Sequence, residues 1–223
     1  MTPTNDRVSA GKLAHTGLAF FSRMSASATH EIKNSLAIIN ESAGLMQDLA
    51  VMAQSGRALS PERVADISHR IEKHVKQADG AARKLNHFSH GMDHSRQTVD
   101  LEQTILFLLD MGARLIEMQG ADIQVLPPSS PALVDTSLFF LETLIWRCID
   151  AACLGPDASK QLTISFQRDT GPGIWFAVDS LTRGPIDALI DSETTQMLLI
   201  QLGMSIEKQI ENKRFGLVWP DSG

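Results

Sequence analysis

Apolar residues return every three or four positions from residue 16 to about residue 94. In the first run these are Leu18, Phe21, Met24, Ile32, Leu36, Ile39, Ala43, Met46, Leu49 and Met52, the period of one helix face. The segment AQSGRALSPER then breaks the pattern. Ser60 followed by Pro61 predicts a new helix, with Ser as N-cap and Pro at the first helical position. Its apolar stripe is Val64, Ile67, Ile71, Val75 (or His74), Ala78, Ala82, Leu85 and Phe88, close to a heptad. Two long helices joined by a short loop make a hairpin. Two helices cannot cover two wide apolar stripes, so a second hairpin is expected to close the core as a four-helix bundle. A homodimer through this region supplies it.

The grammar changes from about residue 99. VDLEQTILFLLDMGARLIEMQG reads as a helix, ADIQVL as a strand stopped by Pro127 and Pro128, and ALVD as another strand. Asp135 is expected to cap the helix TSLFFLETLIWRCIDAACLG. LTISFQ and IWFAVDS read as strands joined by RDTGPG, TTQMLLIQLGMSIEKQIEN as a helix, and FGLVWP as a last strand. The expected fold is α+β: a tail over residues 1–15, a helical hairpin over 16–95, and an α/β sandwich over 96–223 with helices on one face of a mixed sheet.

Composition narrows the function. The 223 residues are 43% hydrophobic and 21% charged, with net charge −6. An acidic chain argues against nucleic acid as the main partner. No apolar run reaches the roughly 18–20 residues of a membrane span, and MTPTNDRVSAGKLAH has no signal-peptide core. Cys148 and Cys153 read as buried thiols at helical spacing, which fits a reducing cytoplasm. No membrane partner is expected.

The candidate chemistry lies in ATHEIKNSLAII, residues 28–39. A zinc motif would need a second histidine at position 34, where Asn34 stands. His87, His90 and His94 recur near the end of the second helix and read as a polar helix end. No metal site and no bound cofactor are expected. On a helical wheel His30 and Asn34 share a face, with Glu31 about 100° around. An imidazole is uncharged and nucleophilic near neutral pH, and it can hold a phosphoryl group as a phosphoramidate. Glu31 could accept a bond from one ring nitrogen and leave the other free. A solvated helix face remains the plain alternative.

ATHEIKNSLAII resembles the histidine box of bacterial sensor histidine kinases. VDLEQTILFLL and ALVDTSLFFLETLIWRCIDAA resemble the opening and the asparagine-bearing helix of their ATP-binding domain. The resemblance spans residues 16–220. It implies a dimerisation and phosphotransfer hairpin followed by a nucleotide domain. The departures fall on the nucleotide site. Thr143 and Arg147 stand where the family places magnesium-holding asparagines, and an Arg offers only donors. Only Gly203 remains where the family has a glycine-rich lid. DTGPG reads as a hairpin turn, and Asp179, at the adenine position, has no glycine pair after it. Ser35 replaces the family's helix-bending proline.

The resemblance therefore points to kinase-like histidine phosphotransfer proteins, phosphoproteins of a phosphorelay, with a degenerate ATP-binding-like domain. It implies catalytic roles for His30, Glu31 and Asn34, with Lys33 and Ala37 meeting the receiver. The expected partners are response-regulator receivers, which bring their own magnesium, and an upstream hybrid histidine kinase. Autophosphorylation from ATP is not expected. Two other readings stay open: a response-regulator phosphatase using Asn34, and a non-catalytic module that binds a receiver or kinase.

Overall fold

The computed structural model describes residues 3–154, 160–167, 172–178 and 184–220, with side-chain surroundings from residue 10 onward. Its architecture is α+β, with two long helices followed by a mixed sheet and its helices. The chain divides into two compact units, residues 23–90 and residues 1–22 with 91–223.

Helix α1 runs from Pro3 to Gln54 and α2 from Pro61 to His90. The helix thus begins well before residue 16, and the expected tail is helical from Pro3. No break signal separates residues 3–15 from the periodic run, so the helix propagates backwards. At the start of α2, Ser60 Oγ accepts from the Arg63 N–H at 3.3 Å and donates to Glu62 at 2.6 Å. That hydroxyl holds the Glu62 carboxyl below its ordinary range. On α2, Val64, Ile67, Ile71, His74, Ala78, Leu85 and Phe88 of the expected stripe are buried or half-buried, whereas Val75 and Ala82 are exposed and Ala81 is buried.

Helix α1 differs from its sequence reading. Ala28, Ser35, Ser42 and Leu49, seven residues apart, are buried. Ile32, Ile39, Ala43 and Met46 are half-buried, and Leu36 is 53% exposed. The most deeply buried line of α1 is therefore a narrower, serine-bearing stripe beside the expected face. Arg70 reaches Glu41 at 3.0 Å across the hairpin. Near the loop, Leu45, Leu49 and Met52 of α1 and Arg63 and Ile67 of α2 border a groove of about 340 Å³.

The second unit is built on a five-stranded sheet. Its strands are β2 (Asp122–Val125), β4 (Gln161–Gln167), β5 (Gly173–Val178), β6 (Ser205–Gln209) and β7 (Arg214–Val218), in the order β2-β4-β5-β7-β6. The β2–β4 pair is parallel and the others antiparallel. A separate ribbon pairs β1 (Gln97–Asp100) with β3 (Leu133–Thr136). The helices are α3 (Leu101–Met111), α4 (Ala113–Gln119), α5 (Leu138–Cys153), α6 (Pro185–Asp191) and α7 (Glu193–Leu202). Leu141, Leu144, Ile145, Cys148 and Ile149 of α5 are fully buried, as are Ile164, Ile174, Phe176, Phe215 and Leu217 of the sheet. The Phe176 and Phe215 rings stack at 5.1 Å.

Several elements differ from expectation. Residues 97–100 form a strand, and Asp100 caps α3 by accepting from the Glu102 and Gln103 N–H groups. Asp135 caps nothing: it binds Arg96 at 3.2 Å, and α5 starts after Ser137 with no side-chain cap. The expected helix over 194–212 ends at Leu202, where Gly203 takes the left-handed conformation at φ +65° that glycine adopts without strain. Residues 205–209 then pair with β7 as a strand. Helix α6 was not anticipated.

The start of α1 belongs to this second unit. Lys12 pairs with Glu193 at 2.5 Å, and the Phe20 and Phe139 rings lie 6.0 Å apart. Gly17 permits the approach, because a Cβ there would sit 2.8 Å from the Phe139 ring.

Candidate functional site

The histidine segment lies inside an unbroken helix, with Ser35 buried. Thr29 bonds back to the Ser25 carbonyl at 2.8 Å, keeping its hydroxyl on its own backbone. The His30 ring is half-buried, while Glu31, Lys33, Asn34 and Ala37 are exposed. Asn34 stands one turn on from His30, and its side-chain amide nitrogen lies 3.1 Å from His30 Nδ1. At i,i+4 spacing the two side chains are neighbours on one face.

The expected bond from the ring to Glu31 is replaced by this contact. Glu31 turns instead toward α2, with its carboxylate 3.9 Å from Lys84 Nζ. The 100° offset between adjacent helical residues carries it away from the ring, and an ammonium group on α2 draws it further. Of the five residues singled out in the sequence, the structure thus joins His30 to Asn34. Glu31, Lys33 and Ala37 are neighbours on the exposed surface with no bond to the ring.

The other region of interest is α5. Thr143 is buried, and its hydroxyl donates to the Phe139 carbonyl at 2.8 Å. Arg147 reaches across to α7, where one Nη donates to Ser192 Oγ at 3.0 Å and Thr195 Oγ1 at 3.1 Å. Ser192 is the N-cap residue of α7. Burial draws the Arg147 guanidinium below its ordinary range, although an Arg remains a cation in proteins. A fixed cation at the positive end of a helix works against the macrodipole, and the two hydroxyl oxygens offset part of that cost. The arrangement closes the N-terminus of α7 with a side chain of the protein itself.

Two features of α5 escaped the sequence reading. The partners of Arg147 are 45 and 48 positions away, and no local pattern marks them. Glu142 is 2% exposed, and one of its carboxyl oxygens has no hydrogen-bond partner. Burial raises its pKa to about 8, so the group is protonated at neutral pH. Its signal in the sequence was a lone carboxylate inside LFFLETLIW, with apolar residues at every helical neighbour position.

Strands β4 and β5 pair antiparallel with Gln167 opposite Gly173. Asp169, Thr170 and Gly171 of the expected turn lie outside the described residues, as does Asp179. Among the described residues, no group of three His, Cys, Asp or Glu is placed to hold a metal ion, and no helix is long and apolar enough to cross a membrane.

No family model matches the chain, and no curated protein does. Solved structures similar to it include segments of histidine kinases. One is the Acinetobacter baumannii histidine kinase AdeS, at 12% identity and TM-score 0.46 over 87% of this chain and 98% of that one. Another is a bacterial phosphotransferase at 12% identity and TM-score 0.42, over 90% of this chain and 96% of that one. A third is the histidine kinase ThkA in complex with response regulator protein TrrA, at 13% identity and TM-score 0.44 over 100% of this chain and 68% of that one. At identities this low, function has to be read from the side chains of this chain.

Proposed function

We propose that this protein is a histidine phosphotransfer protein of a phosphorelay, which moves a phosphoryl group between His30 and the receiver aspartates of response regulators. The observation that carries the reading is the His30–Asn34 pair. Asn34 lies 3.1 Å from Nδ1, and no hydrogen bond is made to Nε2 among the described residues; Nε2 is the nucleophile in the tautomer with Nδ1–H, which the amide serves through its oxygen. The Nε2 lone pair attacks the phosphorus of an aspartyl phosphate. The bond from phosphorus to the carboxylate oxygen breaks, and its electron pair returns to the aspartate. The ring gives its Nδ1 proton to solvent, leaving a neutral phosphoramidate. The reverse step loads the next receiver. Magnesium is supplied by the receiver, and Lys33 and Ala37 meet it beside the histidine.

ATP-dependent autophosphorylation has no part in this reading. The resemblance puts Arg147 where the family holds magnesium, and its guanidinium bonds to Ser192 and Thr195. A homodimer is part of it. Ile32, Leu36, Ile39, Ala43 and Met46 form a heptad-spaced apolar stripe that the hairpin leaves partly exposed. The 340 Å³ groove near the loop is a second unfilled surface of the same hairpin.

Incubation with a phosphorylated receiver tests the reading. Acid-labile label on the wild-type chain and none on His30→Ala is the expected result. The exposure of Asn34 also favours a phosphatase, in which its amide would hold a water against the aspartyl phosphate. Free phosphate without labelled protein, surviving His30→Ala but lost in Asn34→Ala, would establish that activity and overturn phosphotransfer. Labelling of the chain by ATP alone would overturn both.

A further inference from the structure

Asn34 contacts the ring nitrogen that does not carry the phosphoryl group, and that nitrogen decides how long the group stays. A phosphohistidine is broken down when its second ring nitrogen gains a proton. Water then attacks phosphorus, and the Nε2–P bond breaks. Its electron pair returns to the ring, which leaves as neutral imidazole carrying the Nδ1 proton. The attacking water becomes part of inorganic phosphate and releases its extra proton to solvent. While Nδ1 keeps a bare lone pair, the leaving ring would be an anion and the bond persists.

We propose that Asn34 is a positioning residue that turns its amide over with the phosphorylation state of His30. Before transfer, its oxygen accepts from Nδ1–H, which fixes the tautomer whose Nε2 lone pair is free. After transfer, its nitrogen donates to the bare Nδ1 and resists protonation there. In the described chain, whose ring carries no phosphoryl group, the amide nitrogen is the atom toward Nδ1, at 3.1 Å; this is the contact proposed for the loaded ring, and the rotamer that serves the unloaded Nδ1–H tautomer brings the oxygen to the same place. Rotating the terminal amide by 180° exchanges donor for acceptor without moving the helix. A carboxylate could only accept, and an alkyl group could do neither. On α1 the charged neighbours of the ring in sequence are Glu31 and Lys33. From α2, Lys84 faces Glu31 at 3.9 Å. The role rests on the phosphotransfer reading for its purpose, but its test does not need a receiver.

The full chain is loaded chemically with potassium phosphoramidate, and the decay of phospho-His30 is followed by ³¹P NMR between pH 5 and 9. Asn34→Asp is expected to decay about tenfold faster near neutrality, since an adjacent carboxylate favours the protonated ring by about one pH unit, with the pH profile moved upward. Asn34→Leu is expected to decay faster than wild type by a smaller factor. Asn34→Thr keeps a group that both donates and accepts, and is expected to restore the wild-type rate. In the unphosphorylated chain, ¹⁵N spectra of the His30 ring are expected to show Nδ1–H in the wild type and a move toward Nε2–H in Asn34→Leu. Superimposed decay profiles for all four proteins, or one unchanged tautomer, would overturn the proposal. If phosphoramidate never labels His30, the ring cannot accept the group, and the phosphotransfer reading falls with it. If label forms and the variants behave as stated while no receiver exchanges with the chain, only the phosphotransfer reading falls.

Discussion

Replacing Glu142 with Gln isolates the cost of one buried carboxyl. The side chain is 2% exposed on α5, has an oxygen with no hydrogen-bond partner, and is raised by burial from an ordinary 4.5 to about 8. In the unfolded chain the group loses its proton near pH 4.5, whereas the folded chain keeps it until about pH 8. Between those values the folded state binds more protons than the unfolded one, so stability falls as pH rises. Below about 4.5 both states are protonated and nothing is lost. At about 1.4 kcal/mol per pH unit, the loss is about 3 kcal/mol by pH 7 and about 5 kcal/mol once pH passes the folded value. Glu142→Gln has nearly the same shape and no proton to lose. Urea unfolding of both proteins at each pH from 4 to 9 measures the difference directly, and every other titrating group cancels. The two stabilities should converge near pH 4 and separate steadily to pH 8, with the variant the more stable. Parallel curves would refute the reasoning, because they would mean the carboxyl ionises in the fold at little cost.

Arg147→Met removes both bonds to α7 and leaves the Ser192 and Thr195 hydroxyls unpaired by it. It should cost about 1–3 kcal/mol in chemical denaturation. Gly17→Leu places side-chain atoms against the Phe139 ring and should cost about 1–3 kcal/mol. Gly11→Ala meets nothing within 4 Å and should gain about 0.5–1 kcal/mol by helix propensity. Thermal melts separate the two by sign. Leu36→Glu charges a residue that is 53% exposed in the single chain. Under the proposed dimer it should convert the protein to a monomer by light scattering, and an unchanged mass would remove this stripe from the interface.

The elements most legible in the sequence were those fixed by local chemistry. Ser60 and Pro61 marked the start of α2 because both act within one turn. Strands β4 and β5 were readable because two apolar runs flank a short stretch rich in glycine and proline. The misreadings share one cause: a local signal competed with a partner distant in sequence. SIEKQ carries a helix-like mixture of residues, yet an antiparallel neighbour at 214–218 makes it a strand. Asp135 has the look of a cap, yet Arg96, brought alongside by the β1–β3 ribbon, takes it. At the histidine segment, the wheel placed Asn34 beside His30 correctly. It could not show that Lys84, more than fifty positions away, would draw Glu31 from the ring.

The polar groups of α5 also bear on what holds this unit together, since several of them bond within the chain. Thr143 spends its hydroxyl on the carbonyl one turn back, and Arg147 spends its guanidinium on α7. Glu142 is held neutral by burial. Arg147 Nε and one Glu142 oxygen stay buried without a hydrogen-bond partner, so part of the polarity of α5 is left unmet. The residues of α5 and those beside His30 belong to different compact units. A substitution at Arg147 should accordingly change stability without changing the decay of phospho-His30. A substitution at Asn34 should do the reverse. A cross-effect in either direction, measured on the same two preparations, would show that the separation is wrong.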